Sequence, residues 1–205
     1  MTPTLPPSRD SRALARLASS RGQSIVEFAI CLPLLLLVTL GVIEMSNALM
    51  SQHVITKVAR EGSNMISRET ELVDAGTALQ NMSANPGTFN ARTLVIFSVL
   101  MRSQTGSNTG QLVLYQRYQV GNGSLGGSRL NGSGSFTAAN DYTAANPNNT
   151  ASLRVTNAPA GIASVPGGLI YVTEVYTSYD SMTPLGNLRD YNIPVPTVLY
   201  SIAYF

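Results

Sequence analysis

Cysteine, histidine and tryptophan are almost absent from this chain. One cysteine, Cys31, and one histidine, His53, stand among 205 residues, and there is no tryptophan. No disulfide can close within the chain, and no multi-cysteine metal site can be built. His53 has no cysteine or carboxylate cluster beside it, so it reads as a solvated side chain rather than a ligand or catalyst. Charge is scarce as well: charged residues make up 12 % and the net charge is +2. Arg9, Arg12, Arg16 and Arg21 crowd the start, offset there only by Asp10. The basic excess therefore belongs to an N-terminal tail, and no nucleic-acid partner is expected. Asp141, Asp180 and Asp190 are too scattered for an ion site. Gly121, Gly123 and Gly126 spell G-x-G-x-x-G, but glycine, serine and asparagine follow where a dinucleotide site needs a helix. No nucleophile–base arrangement and no Walker loop is present, so neither enzyme activity nor a metal or cofactor is expected. The triplets opening at Asn81, Asn122, Asn131 and Asn148 fit the N-x-S/T pattern but arise readily in Asn- and Ser-rich sequence.

What the chain has in abundance is an apolar run. From Phe28 to Ile43 it reads FAICLPLLLLVTLGVI, 16 residues without a charge. Beginning at Ile25, the segment spans 19 residues, interrupted only by Glu27. At 1.5 Å per residue this is roughly 28 Å of helix, close to the thickness of a bilayer's hydrocarbon core. The Leu, Ile, Val and Phe residues favour insertion by about 5 kcal/mol, against about 3 kcal/mol for a carboxylate placed centrally. Glu27 lies at the end, where its cost is smaller. The arginines precede the run, while Glu44 leads its far side and the next cation is Lys57. The positive-inside bias places the N-terminus in the cytoplasm and the residues after about 45 outside.

A secretory signal peptide is the nearest competitor, with Ser46-Asn47-Ala48 as a small-x-small site and a cut after Ala48. The run is too long for such a signal, and an export signal has no reason to carry Glu27. An ionisable residue in a membrane segment asks for a partner.

RGQSIVEF, residues 21 to 28, resembles the processing site of type IV prepilins. The resemblance implies that a prepilin peptidase cuts after Gly22, leaving Gln23 first and Glu27 fifth. Glycine suits a scissile bond that must present extended backbone. The resemblance also implies that Glu27 pairs in the membrane with the new amino terminus of a neighbouring subunit, which would offset the cost of a carboxylate in lipid. It narrows further. Glu27-Phe28, Leu32-Pro33-Leu34, Gly41-Val42-Ile43-Glu44 and Ala59-Arg60-Glu61-Gly62 are similar to the motifs of TadE-like pseudopilins of tight-adherence pilus systems. The close likeness covers about residues 21 to 68. A looser one lies in YVTEVYTSYDSMTP, Tyr171 to Pro184.

Beyond the span, Met45, Ala48, Leu49, Ile55, Val58, Ala59, Met65 and Ile66 fall largely at three- and four-residue spacings, with Gly62 on the same face. The helix is therefore expected to continue outward with an apolar stripe. The stripe either packs in a filament core or seats the subunit's own sheet. Lys57 and Glu61 are spaced for an i,i+4 pair, and Pro33 removes one helix hydrogen bond. A second helix is expected from Glu71 to Met82, ending before Asn85-Pro86-Gly87. Strands are expected at Thr93–Met101, Gln111–Val120, Gly168–Tyr179 and Thr197–Tyr204, with a weaker one at Ala151–Thr156. Gly121 to Thr150 is poor in core-forming residues and reads as a long, mobile loop.

These readings give an α+β fold, a long N-terminal transmembrane and amphipathic helix packed on a small antiparallel sheet, as in pilins. Its expected parts are a cleaved basic leader (1–22), a transmembrane helix (23–45), a juxtamembrane amphipathic helix (46–68) and an extracytoplasmic α+β domain (69–205) carrying the loop at 121–150. The resemblance implies a minor subunit that helps assemble or initiate a tight-adherence pilus. Its implied partners are the bacterial inner membrane, the prepilin peptidase, other pilin or pseudopilin subunits and the pilus assembly machinery. The alternative is an uncleaved single-span envelope protein whose exported domain binds a partner or surface.

Overall fold

The computed structural model describes residues 9–82, 86–159, 162, 165–184 and 196–205. Asp190 therefore lies outside the described residues. The chain divides into two compact units, Met1–Asn47 with Ser181–Asn187, and Ala48–Asp180 with Leu188–Phe205.

Helix α1 runs from Arg9 to Ser67 and is continuous through Pro33. Its stretch Gly22–Ser67 is long and apolar enough to cross a membrane. Two hydroxyls on this helix, Thr39 and Ser46, donate back to the carbonyls of Leu35 and Val42 at 2.8 Å each. Such back-bonding satisfies both hydroxyls within the helix itself. In the first unit Glu44 accepts two hydrogen bonds from Thr183, from its backbone N–H at 3.1 Å and its hydroxyl at 2.9 Å.

The second unit is built on a four-stranded antiparallel sheet. Its strands are β1 (Thr93–Arg102), β2 (Leu112–Gly121), β3 (Leu169–Ser178) and β4 (Val198–Tyr204), in the spatial order β2-β1-β3-β4. These match the four expected strands to within a residue at each end. A bulge between Val99 and Leu100 shifts the β1–β2 register. Helix α2 (Leu72–Met82) lies where expected. A further short helix, α3 (Pro86–Arg92), adds to the expected elements. The Pro-Gly that reads as a helix stop instead opens a new helix, because proline suits the first turn, where its missing N–H costs nothing.

Strand alternation sorts the core into two faces. Val95, Phe97 and Val99 of β1 pack with Val175 and Ala203 beneath Ile55, Ala59 and Ile66 of α1 and Leu72, Ala75 and Leu79 of α2. The opposite face carries Leu94, Ile96, Leu100, Val172 and Tyr176. It is covered by the segment after β2, through Leu125, Leu130, Phe136, Ala144, Leu153 and Val155. The expected mobile loop is thus a strap that forms the second covering layer. Short 3-10 turns at Gly123–Leu125, Ala138–Asn140 and Ala151–Leu153 shape it, the last replacing the expected weak strand. Asn131 exchanges hydrogen bonds with Thr156, its amide to the hydroxyl at 2.6 Å and its carbonyl from the backbone N–H at 3.0 Å. Polar Asn and Ser side chains thereby supply the strap's order where apolar ones are few. The glycines that suggest a dinucleotide loop lead into a 3-10 turn, not a helix.

The expected Lys57–Glu61 pair is not made. Arg92 and Asp180 form an ion pair at 2.6 Å. Two exposed long side chains on a solvated helix face gain too little from pairing to offset their lost rotamer freedom.

Candidate functional site

The N-terminal helix holds most of the residues that the sequence singles out. Gly22 and Gln23 are helical, and a Cβ added at Gly22 would meet nothing within 4 Å. The backbone at that bond is therefore folded rather than extended, and cleavage would require local unwinding. Glycine makes unwinding easier by about 1 kcal/mol relative to alanine. Gln23 donates from its side-chain amide to a Glu27 carboxylate oxygen at 2.9 Å, one helical turn on. This contact is uncharged on the glutamine side, so it supplies no counter-ion, and among the described residues none pairs with Glu27.

Around Glu27 the helix is bare. Ile25, Val26, Phe28, Ile30, Leu34, Leu35, Leu36 and Leu37 are all more than half exposed. An apolar helix exposed all round has no place in water. By length and composition it could cross a membrane.

The outward stripe divides at Ile55. Met45 and Leu49, both more than 60 % exposed, belong to the bare part. From Ile55 on, the apolar positions are buried on the protein's own sheet: Ile55, Ala59 and Ile66 are at most 4 % exposed. The reading that the stripe seats the subunit's own sheet therefore holds from Ile55 on. Ser63 donates to the Ala203 carbonyl at 3.1 Å and Gln52 to the Tyr200 carbonyl at 2.9 Å, tying α1 to edge strand β4.

Gly62 explains its own residue type. A Cβ there would lie 2.8 Å from Thr173 Cγ2, closer than such atoms pack, and a tight 3.1 Å from Phe97. Ala59, fully buried, keeps the same approach close. Arg60 and Glu61, between them in sequence, face solvent. The four-residue motif thus places two small residues against the sheet and two charges in water. Likewise Glu44, at the exit of the apolar run, is the acceptor for Thr183. Two N-terminal motif positions, Glu44 and Gly62, meet Thr183 and Thr173 of the C-terminal stretch that shares the looser likeness.

Residues 22–64 match the model of the TadE-like protein family. No curated protein and no solved structure matches the chain. The TadE-like segment coincides with the bare helix and its seat on the sheet, ending just beyond Gly62. The sheet itself and the strap lie outside the match.

Sequence reasoning missed a buried polar cluster on the strap side of the sheet. Glu174, in the middle of β3, is 0 % exposed. Its carboxylate accepts from Ser128 Oγ at 2.5 Å, the Arg129 backbone N–H at 2.8 Å and the Tyr200 hydroxyl at 2.9 Å. Arg117 donates to Ser128 Oγ at 2.9 Å, so one hydroxyl links cation to anion. Burial lowers the Arg117 guanidinium from its ordinary range, while Glu174 counteracts this. Burial, then Glu174's charge, raises the Tyr200 phenol far above the usual tyrosine value. The Arg129 guanidinium lies 3.7 Å over the Tyr200 ring, a cation–π contact. The cluster clips the strap to the sheet. Its signal in the sequence is a lone glutamate in the otherwise strand-like YVTEVYT, at an inward-facing position.

Proposed function

We propose that this protein is a minor pilin-like subunit, a TadE-like pseudopilin, that acts in assembling or initiating a tight-adherence pilus. In this reading a prepilin peptidase cuts between Gly22 and Gln23 and removes the basic leader. Residues 23–45 cross the inner membrane, the N-terminal side is cytoplasmic, and the domain from residue 69 stands outside. The observation that carries the proposal is the TadE-like match on a helix that is bare around Glu27 and seated on the sheet from Ile55 onward. Among the described residues Glu27 meets the Gln23 amide but no cation. A neighbouring subunit's amino terminus would supply one, and the lipid cost of the carboxylate makes that pairing strongly favoured. Substituting Glu27→Ala in the full chain tests this. The protein should accumulate at wild-type level while pilus assembly, read by electron microscopy of surface filaments, fails.

A second reading is a permanently anchored envelope protein. It is favoured by the uninterrupted helix across Gly22 and Gln23. It requires that Glu27→Ala leave function intact and that the leader remain attached.

A further inference from the structure

The strap pairs with the outer edge of β2 only part of the way. Ala144 N–H donates to the Tyr115 carbonyl at 2.8 Å, and Arg117 N–H to the Tyr142 carbonyl at 3.1 Å. Beyond Arg117 the strap turns away, and a cavity of about 460 Å³ opens between it and the strand. Its wall comprises Arg117, Tyr118 and Gln119 of β2 and Ser133, Gly134, Phe136 and Tyr142 of the strap. The volume lies within the range of small-molecule sites, about 300–1,000 Å³.

Two properties of this wall select a ligand. First, its charge is already balanced. Arg117 is the one charged lining residue, and it donates to Ser98 Oγ, the Gly132 carbonyl and Ser128 Oγ, with Glu174 as counter-ion behind. An anionic ligand would have to compete with a buried carboxylate already in place. Second, the remaining polar side chains are uncommitted. Tyr118, Gln119, Ser133 and Tyr142 make no side-chain hydrogen bond among the described residues. They offer three hydroxyls and a carboxamide, groups that both donate and accept. Beside them are aromatic rings, all half-buried: Tyr118 and Tyr142 edge to face at 4.8 Å between centroids, and Phe136 with Arg117 6.0 Å from its centre.

Apolar ring faces interleaved with neutral donor–acceptor groups suit a molecule with an apolar ring face and a rim of hydroxyls. We propose that this cavity binds a neutral saccharide, with the aromatic rings covering the C–H face of a pyranose and Gln119, Ser133 and Tyr142 bonding its hydroxyls. The site is independent of the pilus-subunit reading, since all of its residues lie beyond the TadE-like match.

The test uses the full chain in a zwitterionic detergent without a sugar headgroup, with maltose, cellobiose, lactose and N,N′-diacetylchitobiose as probes. Saturation-transfer NMR should show saturable binding of at least one of them. Gln119→Ala and Ser133→Ala alter exposed side chains and should leave the thermal transition unchanged while each weakens binding by about tenfold, as expected for a hydrogen bond lost to the ligand. Tyr142→Ala should abolish binding. Absence of saturable binding for all four probes overturns the proposal, as does binding that survives both Gln119→Ala and Ser133→Ala. Preference for sialyllactose or an acidic peptide over every neutral sugar also overturns it, because it would mean that Arg117 is available to an anion.

Discussion

Glu174→Ala is the substitution that tests most severely how the outer domain holds together. The carboxylate is fully buried and gathers three donors, from Ser128, Arg129 and Tyr200, with Arg117 one hydroxyl away. Removing it leaves a half-buried guanidinium without its counter-ion and three donors without their acceptor. Breaking a buried pair from one side costs about 3–5 kcal/mol, and stranded neutral donors alone would cost about 1–3 kcal/mol each if none found water. Some rehydration through the strap is expected, so the lower bracket applies to the whole cluster: about 3–5 kcal/mol. With a urea dependence of about 2 kcal/mol per molar, the unfolding midpoint should fall by about 2 M. Tyrosine fluorescence of the detergent-solubilised chain in a urea series reads this directly. Glu174→Gln keeps one acceptor oxygen and should fall between wild type and alanine. Adding Arg117→Met to Glu174→Ala should cost less than the sum of the single changes, because the unpaired charge is then gone. A Glu174→Ala loss below about 1 kcal/mol, or strict additivity with Arg117→Met, would refute the clip as described.

Other outcomes follow from the same geometry. Gly62→Ala forces a methyl group into Thr173 and Phe97 and should destabilise the domain by about 1–3 kcal/mol in the same urea series. Gly41→Ala, with nothing within 4 Å, should leave the midpoint where it is. Tyr118, Tyr176, Tyr200 and Tyr204 all have phenol values raised, each chiefly by burial. The unfolded chain's tyrosines ionise near pH 10 while the folded ones resist. Stability is therefore full below about pH 10 and is lost as pH climbs toward the raised folded values. An ultraviolet tyrosine titration should show the missing ionisation appearing together with loss of circular dichroism.

How far the sequence reveals these features depends on how local their cause is. The membrane helix is legible because its cause is composition: sixteen uncharged residues from Phe28 behind a basic tail. The four strands are legible from their β-branched and aromatic content. The strap is not, because its order comes from hydrogen bonds between distant polar residues, such as Asn131 with Thr156 and Ser128 with Glu174. Its one clue is indirect. Leu94 to Leu100 is apolar on both strand faces except Ser98, which requires cover on both sides. Two helices supply one cover, and residues after β2 are what remain for the other. Gly62 illustrates the opposite case: the motif is visible in sequence, but its reason is the approach of Phe97 and Thr173, more than thirty residues away. Glu44's partner, Thr183, is equally remote in sequence.

The central claim is that the chain works as a processed pilin-like subunit, and its N-terminus decides it. Intact-mass measurement and N-terminal sequencing of the protein from membranes of its own host should find a chain beginning at Gln23. Gly22→Ala should retain the leader, although the structure has room for the added methyl group, so failure would reflect the peptidase and not the fold. A chain that keeps Met1, or one that begins at Leu49 after signal-peptidase cleavage, would contradict the account.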